Sequence, residues 1–226
     1  MKYTLCEALM WRALTPDMFR WLKEHRPGWN VRALKRKAKK AYREMAARTP
    51  DIGSLRQNSL RICLSGGMVW LSTYEAAEGA MDEECFAGMV LASMESPLVK
   101  GAFQKKELFT AEAQRRRAES AQRGNASSHS PFNWKTEVVP GRDPDECTIF
   151  YRQCGLCALG RQEGLLALVP QMCVLDVLSV EWMGGVLYRS KTLATGGDCC
   201  DFYVCRKGSK WHAEREGRAW AQTPPS

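Results

Sequence analysis

Histidine is scarce in this chain: His25, His129 and His212 are the three among 226 residues. No G-x-S-x-G elbow, H-E-x-x-H helix, phosphate-cradling P-loop or dinucleotide-binding glycine fingerprint occurs in the sequence. These absences exclude the familiar serine-hydrolase, zincin and nucleotide-site patterns. No uninterrupted apolar run approaches the ~20 residues that cross a bilayer, so a membrane span is not expected. The opening stretch MKYTLCEALMWRAL carries Glu7 and Arg12 where a signal peptide would need its apolar centre. The ten cysteines are therefore read as reduced thiols of a cytoplasmic protein, not as the disulfide frame of a small secreted one.

What is present is enough chain to bury a substantial core, with a formal net charge of +8. The periodicity predicts an α+β fold in which a helical lobe (1–123) precedes a small antiparallel sheet packed with helices (134–210). A linker over 124–133 separates them and a polar tail covers 211–226, the whole forming one integrated domain. Residues 17–26 read as a short helix stopped by Pro27 and Gly28. In the next helix Val31, Leu34, Ala38, Ala41, Tyr42 and Met45 make one apolar stripe. Its back carries Arg32, Lys35, Arg36, Lys37, Lys39, Lys40 and Arg43. Charge without interleaved aromatics reads as a solvated face ahead of a nucleic-acid surface, and oligomerisation is left open.

Pro50 and Gly53 break the pattern, and Asn58 or Ser59 is placed to cap a helix reaching Ala77. Cys63, Gly66, Gly67 and Met68 within it imply close approach to its backbone, by a neighbouring helix ahead of a ligand. Further helices are expected at 81–95 and 105–122. The period then changes to alternation, with NWKTEVV and CTIFYRQC as an antiparallel pair. Residues 156–167 and 170–183 read as helices. VLYRSKTLA and CDFYVCR make a second strand pair, turned at Gly196, Gly197 and Asp198.

Reactive residue types gather between Cys154 and Phe202. Cys173 and Asp176 are three apart and share a helix face with apolar neighbours. A carboxylate there must be paired, or its pKa rises toward neutrality, as proton transfer requires. Arg189, on a predicted strand with Leu187, Lys191 and Leu193, is suited to clamp a carboxylate through its planar fork, or else is a surface arginine. Thr192 lies on the opposite strand face unless the sheet bends. Cys154 and Cys157 form a C-x2-C pair, and Cys199 with Cys200 could complete four thiolate ligands for zinc or another divalent metal. With no metal, one cysteine is a nucleophile and the rest are small core residues. The candidates are thus Cys173, Asp176 and Cys200 for chemistry and Arg189, Thr192 and Asp201 for the substrate. Cys154, Cys157, Cys199 and Cys200 are the candidate metal ligands. No cofactor is firmly implied.

The order CGLC, LVPQMCVLD and LYRSKTLATGGDCCDF resembles the L-2-amino-thiazoline-4-carboxylic acid hydrolase family of bacterial proteins. TPDIGSLRQNSL is similar to the family's Pro-x-Ile-Gly segment, although Ser54 follows Gly53 where the family shows a second glycine. The resemblance implies hydrolytic opening of a small cyclic amidine carboxylate to a carbamoyl-cysteine, in cysteine metabolism, by breaking a carbon–nitrogen or carbon–sulfur bond. It points to Asp176 as the proton-transfer group and Arg189 as the clamp on a small-molecule carboxylate. Cys173 or Cys200 would then be the nucleophile, replaced by a metal-bound water if the thiols hold zinc. The alternative is a non-catalytic metal- or ligand-binding module built on the cysteine cluster.

Overall fold

The structure is a computed structural model that describes residues 3–221. Its first helix, α1 (Leu5–His25), begins well before the predicted position at 17. Thr4 and Glu7 make a reciprocal capping box there, which satisfies the first free N–H groups, and the helix runs on through Pro16. Helix α2 (Val31–Arg48), capped by Asn30, buries Leu34, Ala38, Tyr42, Met45 and Ala46 and turns its basic face outward. Helix α3 (Arg61–Ala76) packs along α2.

Asn58 does not cap α3 in the expected way. Its Oδ1 accepts from the Leu60 N–H, and its amide donates to the Ile52 carbonyl and to Asn133. Arg61 pairs with Glu7 at 3.2 Å and with Asp51 at 3.1 Å, so charge pairs tie α1, the 49–58 segment and the start of α3 together.

Helix α4 (Glu83–Met94) follows, capped by Asp82. Helix α5 (Pro97–Gln104) lies outside the predicted helices, and the helix expected at 105–122 is α6 (Ala111–Ser127), displaced toward the C-terminus. Thr110 caps α6, so the polar run after Gln114 is a helix with a wet face, and it enters the segment read as a linker. Phe132, Asn133 and Trp134 beyond it are buried.

Strands β1 (Lys135–Pro140) and β2 (Glu146–Gln153) pair antiparallel. Helices α7 (Gly155–Gln162) and α8 (Val169–Trp182) intervene before β3 (Gly185–Tyr188) and β4 (Cys200–Arg206). The four strands form one antiparallel sheet in the order β1-β2-β4-β3, so the architecture is α+β. The segment read as a polar tail carries α9 (Lys210–Ala221), and residues 222–226 lie outside the described residues.

Two hydrophobic clusters meet at α8. Met172 and Leu175 join the large core built from α1 to α4, α7, Phe132 and Trp134. Val180, further along, joins the smaller core beneath the sheet with Cys147, Ile149, Cys200, Phe202 and Val204. Cys173 packs against the large core, and Asp176 follows three residues on along the same helix. Among the described residues no helix is long and apolar enough to cross a membrane.

Candidate functional site

Arg189 does not lie on a strand face, because β3 ends at Tyr188 and residues 193–195 form a short 3-10 turn before Gly196 (φ 90°). Leaving the strand frees the side chain to fold back over α8. Nη1 of Arg189 donates to the Cys173 carbonyl at 2.8 Å and reaches Asp176 Oδ2 at 3.4 Å. The guanidinium also lies 5.7 Å from the centroid of the Phe202 ring. Cys173, Asp176 and Arg189 therefore occur as one group.

Some 45% of the Asp176 side chain is accessible. Protein nevertheless surrounds the carboxyl so closely that loss of water contact, opposed by the Arg189 charge, raises its pKa to about 7. Accessible area within such surroundings places the carboxyl at an internal cleft and not on open surface. Cys63 on α3 behaves alike, since its thiol is exposed yet pushed up to about 12 by the surrounding protein and then by Asp176. Burial raises Cys173 to about 12 and Cys200 to about 11. Tyr151 of β2, packed edge-on against Phe202, is raised by the same cause, with Asp176 and Cys63 adding to it. The cleft is thus bordered by one acid of near-neutral pKa and several groups that stay protonated.

A cavity of about 600 Å³ adjoins this region between α6, the segment before it and the sheet. Tyr151 is common to both, while Lys106 and Arg117 line the cavity. Lys106 lowers the Cys63 thiol electrostatically and Arg117 lowers Tyr151, which puts both cations within field range of the cleft.

Of the other sequence candidates, Asp201 lines a second cavity of about 600 Å³ together with Arg189, Ser190 and Tyr203. Thr192 is buried and its hydroxyl accepts from the Thr195 N–H at 3.3 Å, so it holds the turn. Asp201 is on the strand face opposite Cys200. It accepts from the Ser190 and Lys191 N–H groups at 3.0 and 2.9 Å, fixing the loop that delivers Arg189.

Cys200 Sγ accepts from the Leu193 N–H at 3.3 Å, and Cys199 is buried beside it. Among the described residues no three of His, Cys, Asp and Glu are grouped to hold a metal ion. Among the described residues Cys154, Cys157, Cys199 and Cys200 are accordingly not gathered as a four-thiolate set. Sequence reasoning had not placed Cys63 or Tyr151 in the site; each comes from a different element, and only long-range packing brings them to Asp176.

Comparison with known proteins adds one finding. Residues 64–204 match the family model described as L-2-amino-thiazoline-4-carboxylic acid hydrolase, a span from α3 through β4 that includes Tyr151, Cys173, Asp176 and Arg189. No curated protein matches the chain, and no solved structure does.

Proposed function

We propose that this chain, which belongs to the L-2-amino-thiazoline-4-carboxylic acid hydrolase family, opens a small cyclic amidine bearing a carboxylate, with Asp176 transferring the proton. The observation that carries this reading is the Asp176 carboxyl, held beside Arg189 in a cleft where its pKa is about 7. A group titrating there is half ionised at neutral pH and can both accept and return a proton.

In the proposed reaction the substrate carboxylate meets the Nη2 and Nε edge of Arg189, since both bonds to α8 leave from Nη1. The ring carbon between sulfur and nitrogen is electrophilic, more so when the ring nitrogen carries a proton. Asp176 takes a proton from water as the oxygen adds to that carbon. It then gives a proton to the leaving ring atom as the carbon–sulfur or carbon–nitrogen bond breaks, and a carbamoyl-cysteine results. Water is the nucleophile in this scheme, because the thiols of Cys173 and Cys200 are held well above neutrality. Neutral thiols and the Tyr151 hydroxyl serve instead as donors toward the developing charge.

Turnover of L-2-amino-thiazoline-4-carboxylate, and of ring analogues with and without the carboxylate, tests the proposal. Ring opening confined to the carboxylate-bearing members is expected. Failure to open any of them would reject this substrate class.

A further inference from the structure

The C-x2-C pair takes no part in that scheme, and its placement in α7 is specific. Cys154 is the N-cap residue and Cys157 the third helical residue, positions whose side chains meet across the first turn. Cys157 is buried and Cys154 half-buried.

The turn between them is held from two sides. A Cβ on Gly155 would lie 2.2 Å from the Phe132 carbonyl oxygen and 2.6 Å from the Trp134 ring, so the chain before β1 closes directly over the turn. Leu156 in turn packs against Gly67 of α3, where a Cβ would stand 2.2 Å from its Cδ2. Two thiols at cap and third position, on a turn fixed by backbone contact, are preorganised to bond to each other.

Their acidities diverge. Among the described residues Cys154 is the cysteine whose pKa is shifted below the ordinary thiol value. The sulfur makes no full cap hydrogen bond, but the Cys157 thiol and the Leu156 and Cys157 N–H groups bias it toward thiolate against burial and the Asp176 charge. Cys157 is raised strongly, because it donates to Cys154 and is buried, with Cys173 adding to the rise and Arg161 opposing it. A thiolate that is partly accessible beside a buried protonated thiol is the division of labour of an attacking and a resolving cysteine.

We propose that Cys154 and Cys157 form a dithiol–disulfide couple, in which Cys154 exchanges with small-molecule disulfides and Cys157 resolves the mixed disulfide. The Cys154 thiolate attacks one sulfur of the disulfide and expels the other as a thiolate, which takes a proton from water. With Cys154 capped, the negative charge beside Cys157 is gone. Cys157 then loses its proton to solvent, attacks the Cys154 sulfur and expels the second thiolate. The protein loses two hydrogens, and one disulfide molecule becomes two thiols. Excess thiol reverses the sequence.

The sequence supplies a clean readout, since trypsin cuts after Arg152 and Arg161 and releases QCGLCALGR, which contains Cys154 and Cys157 and no other cysteine. The folded full chain is incubated with oxidised glutathione, quenched in acid, alkylated and digested. The peptide is expected without alkyl groups and lighter than the dithiol by two hydrogens. Cys157→Ser is expected to hold one glutathione on Cys154, and Cys154→Ser to form no adduct on this peptide, with circular dichroism confirming that each variant is folded. Should either variant not fold, the wild-type peptide decides alone. Recovery of the wild-type peptide as a doubly alkylated dithiol would overturn the proposal, as would a disulfide joining Cys154 to Cys173. The measurement reads thiol state and not turnover, so its result stands apart from that of the hydrolase assay.

Discussion

Arg189 bonds the backbone of α8 and its acid from a single nitrogen: Nη1 donates to the Cys173 carbonyl at 2.8 Å and lies 3.4 Å from Asp176 Oδ2. The short bond goes to the neutral carbonyl and the long one to the carboxylate. Arg189 is thus anchored without fully neutralising Asp176, which is why burial prevails and the acid stays near pH 7.

Arg189→Lys tests the clamp. An ammonium keeps the charge but cannot hold α8 and offer a parallel pair of donors to a substrate carboxylate. A charge-assisted hydrogen bond contributes ~1.5–3 kcal/mol, so KM should rise by roughly tenfold or more while the fold is kept. Steady-state kinetics on a carboxylate substrate and on its carboxylate-free analogue measure this. An unchanged KM would return Arg189 to a purely structural part.

Gly155→Ala tests how tightly the C-x2-C turn is held. The added Cβ meets the Phe132 carbonyl oxygen at 2.2 Å, and because that atom is backbone, relief requires the chain to move. Overpacking of this kind costs ~1–3 kcal/mol, which denaturant unfolding would show as a lower midpoint at unchanged slope. Gly67→Ala meets only the far end of the Leu156 side chain, so the smaller loss is expected there.

Glu146 offers a pH test remote from the cleft. It is buried at the start of β2, where bonds from Arg142 and from the Tyr203 hydroxyl hold its pKa down at about 2, against an ordinary 4.5. A lowered carboxylate pKa gives stability that is present above 4.5 and lost as pH falls toward 2. Glu146→Gln should therefore melt earlier than the parent at pH 7, and the gap should narrow steadily below pH 4.5.

Much of the framework was legible because local chemistry determines it. The stripe Leu34, Ala38, Tyr42 and Met45 has helical spacing and is buried as a stripe in α2. The alternation in CTIFYRQC belongs to β2. The early start of α1 was equally local, written in Thr4 and Glu7, but three residues of separation are easily passed over beside an apolar run. Cys173 and Asp176 could be paired from a spacing of three, and the motif order brought in Arg189. The strand drawn through Arg189 was too long, because alternation in YRSKTL imitates a strand while Asp201 draws Ser190 and Lys191 into a turn. Cys63 read only as part of a close-packed stretch, since a cysteine on an apolar helix looks the same whether it faces a core or a cleft. Tyr151 was hidden for the same reason within its strand. Their meeting with Asp176 depends on how the two cores close around α8.

The central claim, that Asp176 carries the proton, is tested most directly by comparing Asp176→Asn with the parent in turnover and in thermal melting across pH on the same preparations. The pKa of Asp176 is raised from 3.8 to about 7 in the fold, so its contribution to stability is full below pH 3.8 and is lost as pH rises through 7. Asparagine does not ionise, so the variant should match the parent's melt in acid and exceed it above pH 7. The parent's kcat/KM should climb to a plateau above an apparent pKa of about 7, and the variant should lose that limb together with roughly 10²–10⁴-fold of its turnover. A variant that melts much earlier than the parent at pH 8, yet keeps its turnover when folded, would contradict the claim.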